Sequence, residues 1–169
     1  MKIISNCDLS RVPEATAILE EAGDLLCLGD DRERTLREIV ECDALMAHPS
    51  VRVDLELLKQ APRLRFVGSP HTGKDHLDLN AIDKLNIELH HIAEERELLS
   101  SFTATSEMAF ALMLSVVRKL PQALHSVNSG FWEREKFTGF QLLGKTLGIL
   151  GLGRLGTISA RIGHGFGMR

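Results

Sequence analysis

A glycine-rich turn near residue 150 constrains this 169-residue chain more than any other feature. Gly151, Gly153 and Gly156 follow an apolar run at residues 146–150 and precede a helical pattern at residues 158–162. In a strand–turn–helix unit the first glycine permits the tight turn, the second admits a pyrophosphate close to the backbone, and the third lets the helix pack on the strand. The helix N-terminus then offers N–H groups to phosphates. We therefore predict a dinucleotide site, which we favour over a turn that only packs a helix on a strand.

The first ninety residues alternate short apolar runs with amphipathic stretches. The apolar runs predict five strands, at residues 2–5, 24–28, 43–47, 64–68 and 87–92. Helical spacing between them predicts helices, including one from Pro13 to Gly23 and one after which Asn86 takes the left-handed cap position. Strands that alternate with helices through short connections form a parallel sheet with helices on both faces. Right-handed crossovers make this α/β domain doubly wound.

The pattern changes after residue 94. The run from Glu94 to Glu97 predicts a charged, exposed linker. Thr103 or Thr105 then begins a helix whose apolar residues, from Met108 to Val117, run nearly all the way round. A helix without a polar face is buried on several sides. We therefore expect this helix to lie between domains or subunits.

Composition excludes several classes of protein. A formal net charge of −3 and the lack of a Lys/Arg block argue against a nucleic-acid partner. The N-terminus reaches polar residues too soon for a signal peptide, and the longest apolar stretch, 108–114, is too short to span a bilayer. Cys7, Cys27 and Cys42 are an odd set without metal-type spacing, which predicts buried free thiols. We expect a cytoplasmic protein without membrane partners.

Four segments carry a recognisable pattern. They are residues 66–79 (FVGSPHTGKDHLDL), 104–112 (ATSEMAFAL), 129–132 (SGFW) and 143–156 (LGKTLGILGLGRLG). In this order and spacing they resemble the D-isomer-specific 2-hydroxyacid dehydrogenases, and the D-3-phosphoglycerate dehydrogenase-like branch is nearest. The resemblance implies a flavodoxin-like, doubly wound substrate domain over residues 1–98. It also implies that residues 99–169 hold a linking helix and the first βα unit of a Rossmann NAD-binding domain.

The resemblance further implies roles for individual residues. The substrate, a small 2-hydroxy or 2-keto acid, would be bound by Ser69, His71, Thr72 and Gly73. Backbone amides around Thr72 and Gly73 would hold its carboxylate, since successive N–H groups in a loop cradle anions. NAD or NADP would be bound by Gly151, Gly153, Arg154, Leu155, Gly156 and Thr105. The family also implies a homo-oligomer, a dimer.

No catalytic residue is assigned, because the family's catalytic Arg, Glu and His follow the glycine turn and no residue here matches them. Only 13 residues follow Gly156, and the acidic residue that contacts the ribose lies roughly 20 residues on, so NAD and NADP are not distinguished. His71 and His76 are expected at the surface, and no metal site is expected. The prediction is an NAD(P)-dependent oxidoreductase acting on the CH–OH group of a D-2-hydroxy acid, present as a fragment that is inactive alone.

Two other hypotheses stay open. In the first, the chain is a non-enzymatic, dinucleotide-sensing regulatory module of the same fold. In the second, it is an assembly module of that fold. The predicted strand at residues 146–150 also has a structural consequence, because a single strand exposes two unpaired edges that invite pairing with another chain. We expect the chain to oligomerise or to have a disordered C-terminal region.

Overall fold

Five parallel strands organise the first half of the chain. The computed structural model describes residues Met1–Arg169, which divide into two units, Met1–Leu99 and Ser100–Arg169. The strands are β1 (Lys2–Ser5), β2 (Asp24–Cys27), β3 (Ala44–Met46), β4 (Phe66–Ser69) and β5 (Glu88–His91). They lie in the order β2-β1-β3-β4-β5, with every pair parallel. This is the flavodoxin-like order, so the predicted fold class is confirmed.

Three of the five helices in the first part of the chain begin at an aspartate cap. The five helices are α1 (Pro13–Ala22), α2 (Arg32–Glu38), α3 (Leu55–Lys59), α4 (Leu79–Lys84) and α5 (Arg96–Ser100). The carboxylates of Asp31, Asp54 and Asp78 accept hydrogen bonds from backbone N–H groups in the first turns of α2, α3 and α4. Each aspartate thus satisfies an N–H group that the helix itself leaves unpaired. Asn86 takes the left-handed conformation with φ 53°, as its position after α4 predicts.

The core of the first unit lies on the three central strands. Ile4 on β1, Leu45 on β3 and Val67 on β4 are almost fully buried. Ile4 is opposite both Leu26 and Leu45 in the strand register, so it contributes to two strand pairs. This core fixes the carboxyl ends of the strands, where α/β folds bind their ligands.

The second unit is a small set of helices. These are α6 (Ala104–Val117), α7 (Leu120–Asn128) and α8 (Arg154–Gly165). Helices α6 and α8 pack together, and the rings of Phe110 and Phe166 stack with centroids 5.6 Å apart. A Cβ on Gly163 would lie 2.7 Å from Leu147 Cδ2, so this glycine allows α8 to approach the segment before the glycine turn.

Helix α6 is not buried on several sides within this chain, and its expected position between domains or subunits stays a prediction. Only Ser106 and Phe110 of this helix are buried, whereas Met108, Leu112 and Val116 are 59%, 61% and 76% exposed. The apolar run does form the predicted helix, but burial depends on neighbouring elements. Within the described residues α6 packs mainly on α8 and α7, which cover only part of its circumference.

The predicted strand at residues 146–150 is not formed as a regular strand. Strand-like hydrogen bonds occur only near the start of the segment. There Leu147 N–H donates to Arg169 O, and Arg169 N–H donates to Lys145 O, each at 2.8 Å. These two bonds are the pattern of a parallel strand pair. Leu150 is completely exposed, because no described strand lies beside the end of the segment.

Two smaller predictions also need correction. The Glu94–Glu97 run is exposed but not irregular, because a 3₁₀ turn (Ile92–Glu94) and α5 pass through it. Cys27 is exposed, whereas Cys7 and Cys42 are buried free thiols as predicted. Cys27 lies on β2, which is an edge strand of the sheet and therefore has a neighbour on one side only.

One stretch is long and apolar enough to cross a bilayer by length and composition alone. It runs from Arg96 to Val117, 22 residues, and contains an 18-residue window with a mean hydropathy of 1.3. The two helices α5 and α6 share this stretch, with a break between Ser100 and Ala104. At 1.5 Å per residue α6 alone spans about 21 Å, less than the roughly 30 Å of a hydrocarbon core.

Candidate functional site

The candidate substrate loop follows β4 at the carboxyl edge of the sheet. Ser69 ends β4 and is 4% exposed, while His71 is half-buried. Thr72 and Gly73, at the middle of the loop, are exposed. The described geometry thus brings the four predicted substrate-binding residues into one loop whose middle faces solvent.

Two histidines hold this loop. His91 Nδ1 accepts a hydrogen bond from Ala93 N–H at 3.0 Å, so the neutral ring carries its proton on Nε2. His91 Nε2 lies 3.4 Å from Gly73 O and is therefore the donor to that carbonyl. On the other side of the loop, Ser69 Oγ accepts from His71 N–H at 3.5 Å and lies 3.3 Å from His76 Nε2.

Four histidines surround the loop: His48, His71, His76 and His91. We call them the loop histidines. The rings of His48 and His71 are nearly perpendicular, with centroids 4.7 Å apart. The rings of His71 and His76 are 6.3 Å apart. The expectation of a surface position is wrong for His76, which is only 4% exposed. Nothing in the sequence predicted the contact of His48, because it precedes His71 by 23 residues and belongs to the loop after β3.

The loop histidines have an unusual environment for ionisable groups. His71 Nδ1 and His76 Nδ1 are both buried without a hydrogen-bond partner. Burial lowers the pKa of His71, and the neighbouring His48, His76 and His91 lower it further. Burial also lowers the pKa of His76, although Asp75 opposes this effect. Both rings are therefore neutral at pH values where an exposed histidine is partly charged.

The glycine turn in the second unit has the geometry that its spacing predicts. Gly151 has φ 93°, a conformation that favours glycine. Gly153 is the N-cap of the 12-residue helix α8, no side chain caps this helix, and a Cβ on Gly153 would meet no atom within 4 Å. A Cβ on Gly156 would lie 2.2 Å from Gly151 O, so the third glycine allows the helix to contact the turn. The space over Gly153 and the uncapped helix terminus fit a dinucleotide pyrophosphate.

Hydrogen bonds hold the glycine turn to the start of α6. Arg154 Nη1 donates to Phe102 O at 2.8 Å, and the buried Ser106 hydroxyl donates to Leu155 O at 3.2 Å. Ser159 Oγ in turn donates to Ser106 Oγ at 3.2 Å. Thr105, the remaining predicted cofactor-binding residue, is exposed beside Ser106. Sequence reasoning missed Ser106 and Phe102, since a buried serine and a backbone carbonyl carry no motif.

Family models match both halves of the chain. Residues 7–97 match the catalytic domain of the D-isomer specific 2-hydroxyacid dehydrogenases, and residues 110–169 match the NAD binding domain of the same family. The chain belongs to this family. The resemblance inferred from the four sequence segments is therefore confirmed, and the NAD binding domain match lies within the second unit.

Curated relatives and solved structures agree with this assignment. D-3-phosphoglycerate dehydrogenase of Archaeoglobus fulgidus is 38% identical over 76% of this chain and 23% of its own length. Glyoxylate reductase of Pyrococcus horikoshii is 34% identical over 94% of this chain and 49% of its own length. The TT0316 protein of Thermus thermophilus superposes with a TM-score of 0.88 at 25% identity, over 100% of this chain and 54% of the other. The chain thus spans from about a quarter to a half of the length of these relatives.

Several of the similar solved structures hold ligands. D-lactate dehydrogenase of Aquifex aeolicus, in complex with NAD and lactic acid, superposes with a TM-score of 0.82 at 25% identity. The match covers 99% of this chain and 49% of that enzyme. A relative with the same fold over this region therefore binds a dinucleotide and a 2-hydroxy acid.

Proposed function

We propose that the protein is an NAD(P)-dependent oxidoreductase acting on the CH–OH group of a D-2-hydroxy acid. The observation that carries the proposal is the succession of two family domains in one chain, with an open phosphate turn in the second. The bound dinucleotide supplies the hydride acceptor or donor. The amides of Thr72 and Gly73 bind the substrate carboxylate, and Ser69 and His71 line the same loop.

The same proposal assigns the phosphate contacts. The N–H groups at the start of α8 and the backbone at Gly153 bind the pyrophosphate. Arg154 adds a charge at the turn, and its bond to Phe102 O keeps the guanidinium near the N-terminus of α8. Residues 1–169 alone do not catalyse hydride transfer, because none of them corresponds to the family's catalytic Arg, Glu and His.

A pair of measurements tests the proposed function. Saturation-transfer NMR with NADH and NADPH on residues 1–169 is expected to detect weak dinucleotide binding, which Gly153→Ala reduces. The longest reading frame that contains these residues is expected to oxidise NADH with a 2-keto acid such as glyoxylate, whereas residues 1–169 are not. A longer chain that binds NADH but reduces no 2-keto acid would contradict the enzyme and favour a dinucleotide-sensing module.

We also propose that the chain self-associates. Met108, Leu112 and Val116 recur every four residues, so they form one exposed apolar stripe on α6. Leu150 in the same unit is also completely exposed and adds apolar surface. A second copy of the chain presents the same stripe, which makes a self-complementary contact possible.

Light scattering after size-exclusion chromatography is expected to give the mass of a dimer. Leu112→Glu places a charge in the stripe and is expected to yield a monomer. Leu79→Glu is the matched control, because Leu79 is also exposed, at 43%, but lies on α4 of the first unit. A monomeric wild-type chain would refute self-association.

A further inference from the structure

The loop histidines suggest how the substrate loop acquires positive charge. We propose that His71 binds the carboxylate of the substrate as an imidazolium, so that the loop takes up one proton when the anion binds. This inference rests on the proposed function, because it assumes that the ligand of the loop is a 2-hydroxy or 2-keto acid. The inference adds to the proposed function a residue whose protonation is coupled to substrate binding.

The position of His71 distinguishes it from the other loop histidines. His71 is adjacent to Thr72 in the chain and is half-buried, so its ring lies at the boundary between the protein interior and the exposed middle of the loop. His76 is almost fully buried behind it. His91 is already engaged with Gly73 O, and His48 Nδ1 accepts a hydrogen bond from Ser50 N–H at 3.3 Å. His71 is therefore the loop histidine best placed to contact a ligand at Thr72.

The ring of His71 also lacks a fixed partner for one nitrogen. His71 Nδ1 is buried and makes no hydrogen bond, which is a cost that most buried polar atoms avoid. A ring without such a bond is not committed to one tautomer. It can therefore be protonated without breaking a hydrogen bond at Nδ1, and a small rotation then presents an N–H donor to a carboxylate oxygen.

The charges that face the loop histidines come from few groups. The groups that act electrostatically on His71 are His48, His76 and His91. Asp75 acts on His76, and the ammonium of Lys74 lies 3.7 Å from a Glu94 carboxylate oxygen, which offsets its charge. Because burial lowers the pKa of both His71 and His76, these two rings contribute little positive charge to the empty loop. A bound carboxylate would favour the charged form of the nearest ring.

The sign of the pH dependence follows from linkage. The pKa of His71 is lowered in the empty loop, and a bound anion raises it. Binding therefore becomes stronger as pH falls from above the pKa of the anion-bound state toward the pKa of the empty loop. Between about pH 8 and about pH 5.5 we expect the affinity for oxalate to rise roughly three- to tenfold. Oxalate is the probe because it is a small dicarboxylate that resembles a 2-keto acid and stays ionised over this range.

Isothermal titration calorimetry with oxalate on residues 1–169 tests the inference. Titrations in buffers of different ionisation enthalpy give the number of protons taken up, and the expected value near neutral pH is a positive fraction of one. NMR titration of the imidazole Hε1 signals is expected to show the His71 pKa rising when oxalate is added. This measurement uses the wild-type chain, so it does not require any variant to fold.

Two variants locate the proton. His71→Asn keeps a polar side chain without an ionisable ring, and it is expected to abolish both proton uptake and the pH dependence of oxalate affinity. His90→Asn is the matched control, since His90 is exposed on β5 and pairs with Glu88, so its variant is expected to behave like the wild type. Far-UV circular dichroism checks that both variants fold.

The outcomes separate this inference from the proposed function. Oxalate binding without proton uptake, or with the same pH dependence in His71→Asn, would overturn the role of His71 and leave the dehydrogenase proposal standing. Failure of oxalate to bind at any pH would overturn the inference together with the assigned substrate loop. Dinucleotide binding at the glycine turn is measured independently and decides whether the proposed function itself fails.

Discussion

Gly156→Ala is expected to eliminate detectable dinucleotide binding and to destabilise the second unit. The added Cβ would lie 2.2 Å from Gly151 O and 3.3 Å from Ile149 Cγ2. Because the first of these atoms belongs to the backbone, either α8 or the turn must move. Overpacking of this kind costs about 1–3 kcal/mol, and the displaced α8 no longer aligns its N–H groups with the phosphates. Saturation-transfer NMR with NADH measures binding, and chemical unfolding followed by Trp132 fluorescence measures the stability of this unit.

Two other glycines provide the controls for this substitution. Gly165→Ala adds a methyl group near the end of the same helix, where a Cβ meets no atom within 4 Å, so binding and stability are expected to remain at wild-type levels or slightly above. Gly153→Ala also meets no protein atom and is expected to cost at most about 1 kcal/mol, since alanine is a poorer N-cap than glycine. It is expected to weaken binding strongly, because the methyl group occupies the space for the pyrophosphate. Wild-type binding by Gly156→Ala would contradict the assigned role of the third glycine.

Ile4→Ala is expected to lower the free energy of unfolding of the first unit by about 2–5 kcal/mol. Ile4 is fully buried on β1, which lies between β2 and β3, so the substitution leaves a cavity beside two strand pairs. Neighbouring strands can fill this cavity only by moving the sheet that carries the substrate loop. Urea unfolding followed by far-UV circular dichroism measures the change.

Ile18→Ala is the matched control for the core substitution. It removes the same atoms from a residue of α1 that is 66% exposed, and the expected change is within about 0.5 kcal/mol. Equal effects of Ile4→Ala and Ile18→Ala would contradict the assigned core. Trp132, the only tryptophan, lies in the second unit, so its fluorescence reports separately on residues 100–169.

Local patterns in the sequence predicted most of the elements. The five strands lie within two residues of the predicted runs, and α1 occupies the predicted segment between Pro13 and Gly23. Proline, glycine and asparagine act through their own backbone preferences, so their effects can be recognised without knowledge of distant residues. The spacing of the three glycines in the turn is informative for the same reason.

Burial was predicted less well, because it depends on residues far apart in sequence. The apolar character of α6 did not reveal that Met108, Leu112 and Val116 are exposed in the described chain. The reverse holds for His76, a polar residue in a loop that is nevertheless buried against His71 and Ser69. Both differences arise because composition describes what a side chain prefers, while neighbouring elements decide what covers it within the chain.

The doubly wound α/β fold and the glycine turn can be inferred from the amino-acid sequence, because strand alternation and glycine spacing are local patterns. The family was inferred from the resemblance of four segments, and the residues of the two candidate sites stay predictions. How these sites are held became apparent only in the folded chain. Folding brings His48 to His71 across 23 positions of the chain and Arg154 to Phe102 O across 52. Such contacts depend on the packing of whole elements, so they follow from the fold and not from any single segment.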